Sequence, residues 1–243
     1  MTQVIIISLI NGLSLIVGVL IGIYFHLKQK TIAAVMAFGS GVLICALTFG
    51  LMEEAFGHGG FDAVIIGFLV GGLLYVIGDW AIHYFGGRKH KRHQHSKAKH
   101  NTNGIMIALG STLDGIPESV ALGIALFANQ TVGLMMIAAI VISNVPESVA
   151  SVAGLRKENF STKRIFSIWA SIGIAVTLAT ILSFIFLHNL NLNTIGILES
   201  LAAGAILAML VGSMIPEAYE EGGYAVNILT IVGFLVTFVI SRL

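Results

Sequence analysis

The chain has 243 residues, 56% of them hydrophobic and 10% charged, less than half the ~25% charge of a soluble domain. With a mean hydropathy of +0.94, a water-soluble globule is excluded, and 28 glycines against three prolines suit helices dissolved in lipid. The formal net charge is +1, and the single cysteine, Cys45, sits in an apolar stretch, which excludes an intrachain disulfide and a thiolate-based metal or redox centre.

Apolar stretches separated by polar or Gly/Asn-rich breaks predict eight spans, at roughly 2–26, 31–56, 61–85, 104–128, 131–155, 162–187, 194–218 and 224–242. The expected fold class is an all-α polytopic membrane protein with eight transmembrane helices in a single domain over 1–243, interrupted by a His/Lys/Arg-rich loop at 86–103. No basic residue precedes span 1 and no small-residue cleavage site follows it, so it reads as a retained helix rather than a signal peptide. Of the 13 Lys and Arg residues, 12 fall in the loops between spans 1 and 2, 3 and 4, and 5 and 6. Those loops are therefore cytoplasmic, both termini lie outside, and the chain is expected as a multi-pass protein of the cell membrane. The loop between spans 7 and 8 carries Glu217, Glu220 and Glu221 without a basic residue. Acids weigh little in this rule, so parity places that loop inside.

Two pairs of spans repeat. Asp114-Gly115-Ile116-Pro117-Glu118-Ser119-Val120-Ala121 in span 4 matches Ser143-Asn144-Val145-Pro146-Glu147-Ser148-Val149-Ala150 in span 5, an offset of 29. Span 2 ends Glu53-Glu54-Ala55-Phe56-Gly57-His58-Gly59-Gly60 and span 7 ends Pro216-Glu217-Ala218-Tyr219-Glu220-Glu221-Gly222-Gly223, an offset of 163 that also superposes Gly41 on Gly204. Members of each pair must run in opposite directions, so the repeats are inverted. Inverted repeats with interrupted helices mark alternating-access transporters, whose site lies at the repeat interface.

Asp114, Glu118 and Glu147 fall near the centres of spans 4 and 5, where each charge costs about 2.5–3.5 kcal/mol on the insertion scale. Asp114 and Glu118 share one helix face; Ser143 and Asn144 precede Glu147 by four and three residues on the equivalent face of span 5. Pro117 and Pro146 each disturb the carbonyl four residues earlier, on Leu113 and Ile142, which could then face an ion. Gly115, Gly123, Ala121 and Ala150 are small enough to let spans 4 and 5 approach. A divalent cation is the simplest occupant, because its charge holds the carboxylates ionised. The alternatives are a proton relay through the same acids, and prolines that merely kink helices bearing protonated carboxyls.

These residues resemble the ZIP family of zinc- and iron-regulated transporter-like proteins, over essentially the whole chain. The shared features are the eight spans, the His-rich loop after span 3 and the paired Pro-Glu strings D-G-I-P-E-S at 114–119 and S-N-V-P-E-S at 143–148. The resemblance implies a divalent metal transporter moving zinc, or manganese or iron, toward the cytoplasm. By it, Glu118 and Glu147 are the principal metal ligands, Asp114 stands in place of the family's histidine, Asn144 keeps the motif's asparagine, and Ser143 stands where a histidine or other ligand is found. Gly115 cannot ligate by its side chain, and span 6 has no acid where some members contribute a glutamate. An all-oxygen ligand set leans toward Mn²⁺, Fe²⁺ or Mg²⁺, although carboxylates also bind zinc.

At the outer end of span 2, Glu53, Glu54 and His58 form a candidate cation funnel, with ordinary interfacial solvation as the equal alternative. At the inner end, Asp79 and His83 on span 3 and Glu217 on span 7 are the candidate release residues that the resemblance implies. His90, His93, His95 and His100 in the long loop suit low-affinity metal capture, or the loop is a basic anchor on anionic lipid. The metal is transported substrate, and no prosthetic group is expected. Divalent ions and the bilayer are the implied partners, a homodimer is allowed, and nucleic acid is not.

Rival functions are a proton-coupled small-solute transporter, a membrane enzyme and a non-transporting metal sensor. An enzyme is disfavoured: spans 4 and 5 hold no histidine, no H-E-x-x-H is present, and Ser119 and Ser148 have no histidine or lysine base within their spans.

Overall fold

The computed structural model describes residues 1–25, 27–84 and 104–242. The loop expected at 86–103 therefore lies outside the described residues. These residues form α1 (Thr2–Tyr24), α2 (Gln29–Ala46), a π-helical segment (Leu47–Met52), α3 (Glu53–Tyr84), α4 (Gly104–Ala128), α5 (Gln130–Lys157) and α6 (Thr162–Phe186). After a 3₁₀ turn (Leu187–Asn189) come α7 (Leu192–Met209), a second π-helical segment (Leu210–Met214), α8 (Ile215–Gly222) and α9 (Ala225–Ser241). No strand occurs among the described residues. Side-chain caps start the helices that follow tight turns. Asn129, Ser161 and Asn191 accept from the backbone N–H groups of Thr131 (3.0 Å), Arg164 (3.4 Å) and Thr194 (2.8 Å), each satisfying one orphan donor.

Among the described residues, five helical stretches are long and apolar enough to cross a membrane: Thr2–Tyr24, Gln29–Ile82, Thr131–Arg156, Thr162–Phe186 and Leu192–Gly222. The second, at 54 residues, would reach ~80 Å if straight, more than twice a ~30 Å hydrocarbon core. It is not straight. Gly60 has φ 65° and ψ −163°, a conformation that glycine reaches at little cost, and it divides α3 into a short and a long limb. Gly223, with φ 59° and ψ −145°, separates α8 from α9 in the same way. Gly60 and Gly223 are 163 residues apart, the offset of the sequence repeat. The two π-helical segments begin at Leu47 and Leu210, again 163 apart. Spans 2 and 7 thus share a π-helical segment and a glycine break, neither of which the apolar pattern alone predicts.

The packing is that of a protein whose solvent is lipid. Leu69, Leu182 and Ile231 are 60–63% exposed, whereas Asn11, Asp114, Glu118 and Glu199 are at most 3% exposed. Close approaches run through glycines, as expected where small residues set interhelical distance. A Cβ on Gly18 of α1 would run into Val145 and Ser148 of α5, and one on Gly12 into Gly173 and Thr177 of α6. In the two halves of the repeat, Gly41 of α2 abuts Thr230 and Phe234 of α9, and Gly204 of α7 abuts Phe68 of α3. Contacts that advance together along both chains, such as Gly18 on Val145 and Gly22 on Val152, Ala37 on Thr230 and Gly41 on Phe234, and Gly59 on Asn193 and Gly67 on Ser200, make α1 parallel to α5, α2 parallel to α9, and α3 parallel to α7. Leu15, Val19, Val152, Trp169 and Val176 gather α1, α5 and α6 into one apolar cluster. A larger cluster joins α2, α4, α5 and α7.

One local expectation changes. Gly115 and Gly123 do not bring α4 against α5: a Cβ on Gly115 would meet Val176, and one on Gly123 would meet Thr180 and Ser183, all on α6. The oxygen-bearing face of α4 is turned toward α5, so its small residues fall on the opposite side. Pro117 and Pro146 lie inside continuous helices. Each removes one backbone donor without interrupting its helix.

Candidate metal-ion site

The antiparallel meeting of α4 and α5 turns the two Pro-Glu motifs toward each other. Asp114 and Glu118, one turn apart on α4, are 3% and 2% exposed; Ser143 and Asn144 on α5 are 1% and 3% exposed, and Glu147 is half-buried. The Ser143 hydroxyl donates to the Ile140 carbonyl at 3.0 Å, so toward the cluster it offers only lone pairs. Glu118 Oε1 is buried without a hydrogen-bond partner. Three like-charged groups in so dry a place repel one another unless protons or a cation offset them.

Neighbouring helices hold this set. Tyr75, buried on α3, donates its phenol to Asp114 Oδ1 at 2.7 Å. Asn144 Nδ2 donates to Asn11 Oδ1 at 3.1 Å and to Ser14 Oγ at 2.9 Å, both on α1. Sequence reasoning missed Tyr75, Asn11 and Ser14. The polar Asn11 in the middle of an apolar span is the signal that could have found it; Tyr75 left none, since a tyrosine in a span is ordinary.

Met36, Asp114, Glu147, Met209, Ser213, Met214 and Glu217 line one cavity. It offers the centre of a water-sized sphere about 10 Å³, room for a single small particle. Glu217 thus opens onto the same space as the α4–α5 carboxylates, at the point where the second π-helical segment leads into α8. Asp79 is half-buried on α3 and does not line this cavity. The side chain of His83 lies outside the described residues.

The three outer candidates separate. Glu53 is exposed and 4.0 Å from Arg242. Glu54 accepts from Asn129 Nδ2 at 2.9 Å. His58 Nδ1 lies 2.9 Å from Glu199 Oε2, on α7. Glu199 is fully buried, and its Oε1 has no hydrogen-bond partner. It is an acid within a span, legible by the same rule as Asp114, yet sequence reasoning does not single it out.

The set between α4 and α5 is wholly oxygen, with thioethers of three methionines beside it. Oxygen donors of this kind suit hard and borderline divalent ions. Among the described residues, no three His, Cys, Asp or Glu side chains close on a single point tightly enough to hold a metal ion. Serine and asparagine oxygens make up the rest of the set. No curated protein compared with the chain matches it. The family model described as ZIP zinc transporter matches residues 83–241, roughly two thirds of the chain, including all of α4 and α5. The chain belongs to the ZIP family of zinc transporters.

Proposed function

We propose that this protein carries divalent metal ions, zinc with manganese or iron as further substrates, across the cell membrane toward the cytoplasm. The ion binds between α4 and α5 to Asp114, Glu118, Ser143, Asn144 and Glu147. One observation carries the reading: an inverted pair of Pro-Glu motifs buries carboxylates together, and two of them share with Glu217 a cavity with room for one small particle. A divalent cation offsets the mutual repulsion of those groups and draws them into coordination. The size of the cavity disfavours an organic solute.

In the membrane the chain crosses eight times. α1, α4, α5, α6 and α9 each cross once. α2 with the first π-helical segment and the short limb of α3 makes another span, the long limb of α3 a third kind, and α7 continuing into α8 the last. The alternating directions of the packed helices support this count, and the Lys/Arg asymmetry sets both ends outside. Ions approach past the end of span 2 that carries Glu53, Glu54 and His58, whose carboxylates raise the local cation concentration although the three side chains have separate partners. They leave past Glu217, Asp79 and His83. Alternating access moves α1, α4, α5 and α6 against the repeat-related helices α2, α3, α7, α8 and α9.

Uptake into proteoliposomes of the purified protein, measured for Zn²⁺, Mn²⁺, Fe²⁺, Co²⁺, Cd²⁺ and Mg²⁺, tests the reading. Saturable flux of at least one transition-metal ion is expected. Binding without flux of any cation would favour a sensor, and flux of protons with neither metal binding nor metal flux would favour the proton relay.

A further inference from the structure

From the hydrogen-bond chain that joins α1 to α5, we infer that Asn11 is a positioning residue of the ion site: it locks Asn144 in the amide orientation that presents oxygen to the cation. The inference rests on the reading of Asn144 as a ligand. An asparagine amide can sit either way round, and the two ends are nearly equal in shape but opposite in polarity. With its N–H₂ end toward the ion, Asn144 would repel it.

The polarity of the chain is set from its far end. Ser119 Oγ donates to the Gly115 carbonyl at 2.7 Å and Thr180 Oγ1 to the Val176 carbonyl at 3.1 Å. A carbonyl can only accept, so each hydroxyl spends its one hydrogen there and offers only lone pairs to a neighbour. Asn11 Nδ2 therefore donates to both, at 3.0 Å and 3.3 Å, which turns Asn11 Oδ1 toward Asn144. Ser14 Oγ donates to the Asn11 carbonyl at 2.6 Å and is likewise left as an acceptor. Both hydrogens of Asn144 Nδ2 go to these two acceptors. Its carbonyl oxygen is what remains for an ion. Asn11, Ser14, Ser119, Asn144 and Thr180 are all at most 5% exposed, so a flipped amide would find no water to satisfy it. By this route α1, which supplies no acidic residue, sets the donor atom of a site on α5.

The test is a cycle of Zn²⁺ uptake in proteoliposomes with wild type, Asn11→Ala, Asn144→Asp and the double variant. An aspartate at 144 has oxygen at both ends and no orientation to lose. Asn11→Ala is expected to raise KM for Zn²⁺ about tenfold in the native background, the lower end of the range for outer-shell partners of metal ligands, with kcat changed less. In the Asn144→Asp background the same substitution should raise KM less than about twofold. Equal increases in both backgrounds would mean that Asn11 serves only packing, and would overturn the inference. Unchanged KM in Asn144→Ala would show that Asn144 is not a ligand, which is the separate failure of the underlying reading. If Asn11→Ala does not fold, Ser14→Ala in the same two backgrounds provides the comparison, with a smaller increase expected and the same non-additivity.

Discussion

Tyr75 and Asp114, 39 residues apart in sequence, meet through a 2.7 Å hydrogen bond between α3 and α4. The bond couples the long limb of α3 to a buried carboxylate of α4. Tyr75→Phe removes a charge-assisted bond worth about 1.5–3 kcal/mol. A lower thermal midpoint in detergent is expected, together with a raised KM for metal, because one Asp114 oxygen loses the donor that aims it. A variant with unchanged midpoint and unchanged KM would mean the bond contributes nothing in the working protein.

Asp114→His tests metal choice. An imidazole added to an oxygen set should favour zinc over manganese, since nitrogen donors discriminate along the divalent series more steeply than carboxylates do. Competition uptake with Zn²⁺ and Mn²⁺ should show the ratio of kcat/KM values moving toward zinc, by about tenfold if one ligand is exchanged. An unchanged ratio would place Asp114 out of contact with the ion.

The His58–Glu199 pair makes a different statement, about stability. Glu199 is fully buried, and His58 Nδ1 lies 2.9 Å from its Oε2. Removing His58 alone leaves a buried carboxylate without compensation, at a cost of about 3–5 kcal/mol. Replacing both residues by leucine should recover most of that loss. Denaturation of His58→Leu, Glu199→Leu and the double variant would show it; additive losses would mean that the two side chains do not act as a pair.

The extents of the helices were legible in the sequence because lipid allows few alternatives: an apolar stretch of this length has to satisfy its backbone internally. The repeat was legible because equal spacing sets glycines to equal tasks: Gly60 and Gly223 take a positive φ, and Gly41 and Gly204 admit a neighbouring backbone. The π-helical segments at Leu47 and Leu210 were not, since an extra residue in a helical turn leaves no mark on the apolar pattern. At the site, Asp114, Glu118 and Glu147 stood out as costly charges. Asn11, Ser14 and Tyr75 did not, because their roles depend on helices that come together only in the fold. The glycines of α4 were noticed but assigned to the wrong neighbour, α5 in place of α6. Composition says that a residue permits close approach, without saying to which partner.

Binding of a transported metal ion between α4 and α5 is tested by Zn²⁺ uptake into proteoliposomes of Glu118→Ala and Glu147→Ala beside wild type. Each preparation is first checked for folding by thermal denaturation and size-exclusion chromatography. Uptake is expected to fall to the level of empty liposomes in both folded variants, with loss of metal binding. Wild-type transport by both would contradict the claim and move the ion's path elsewhere in the bundle.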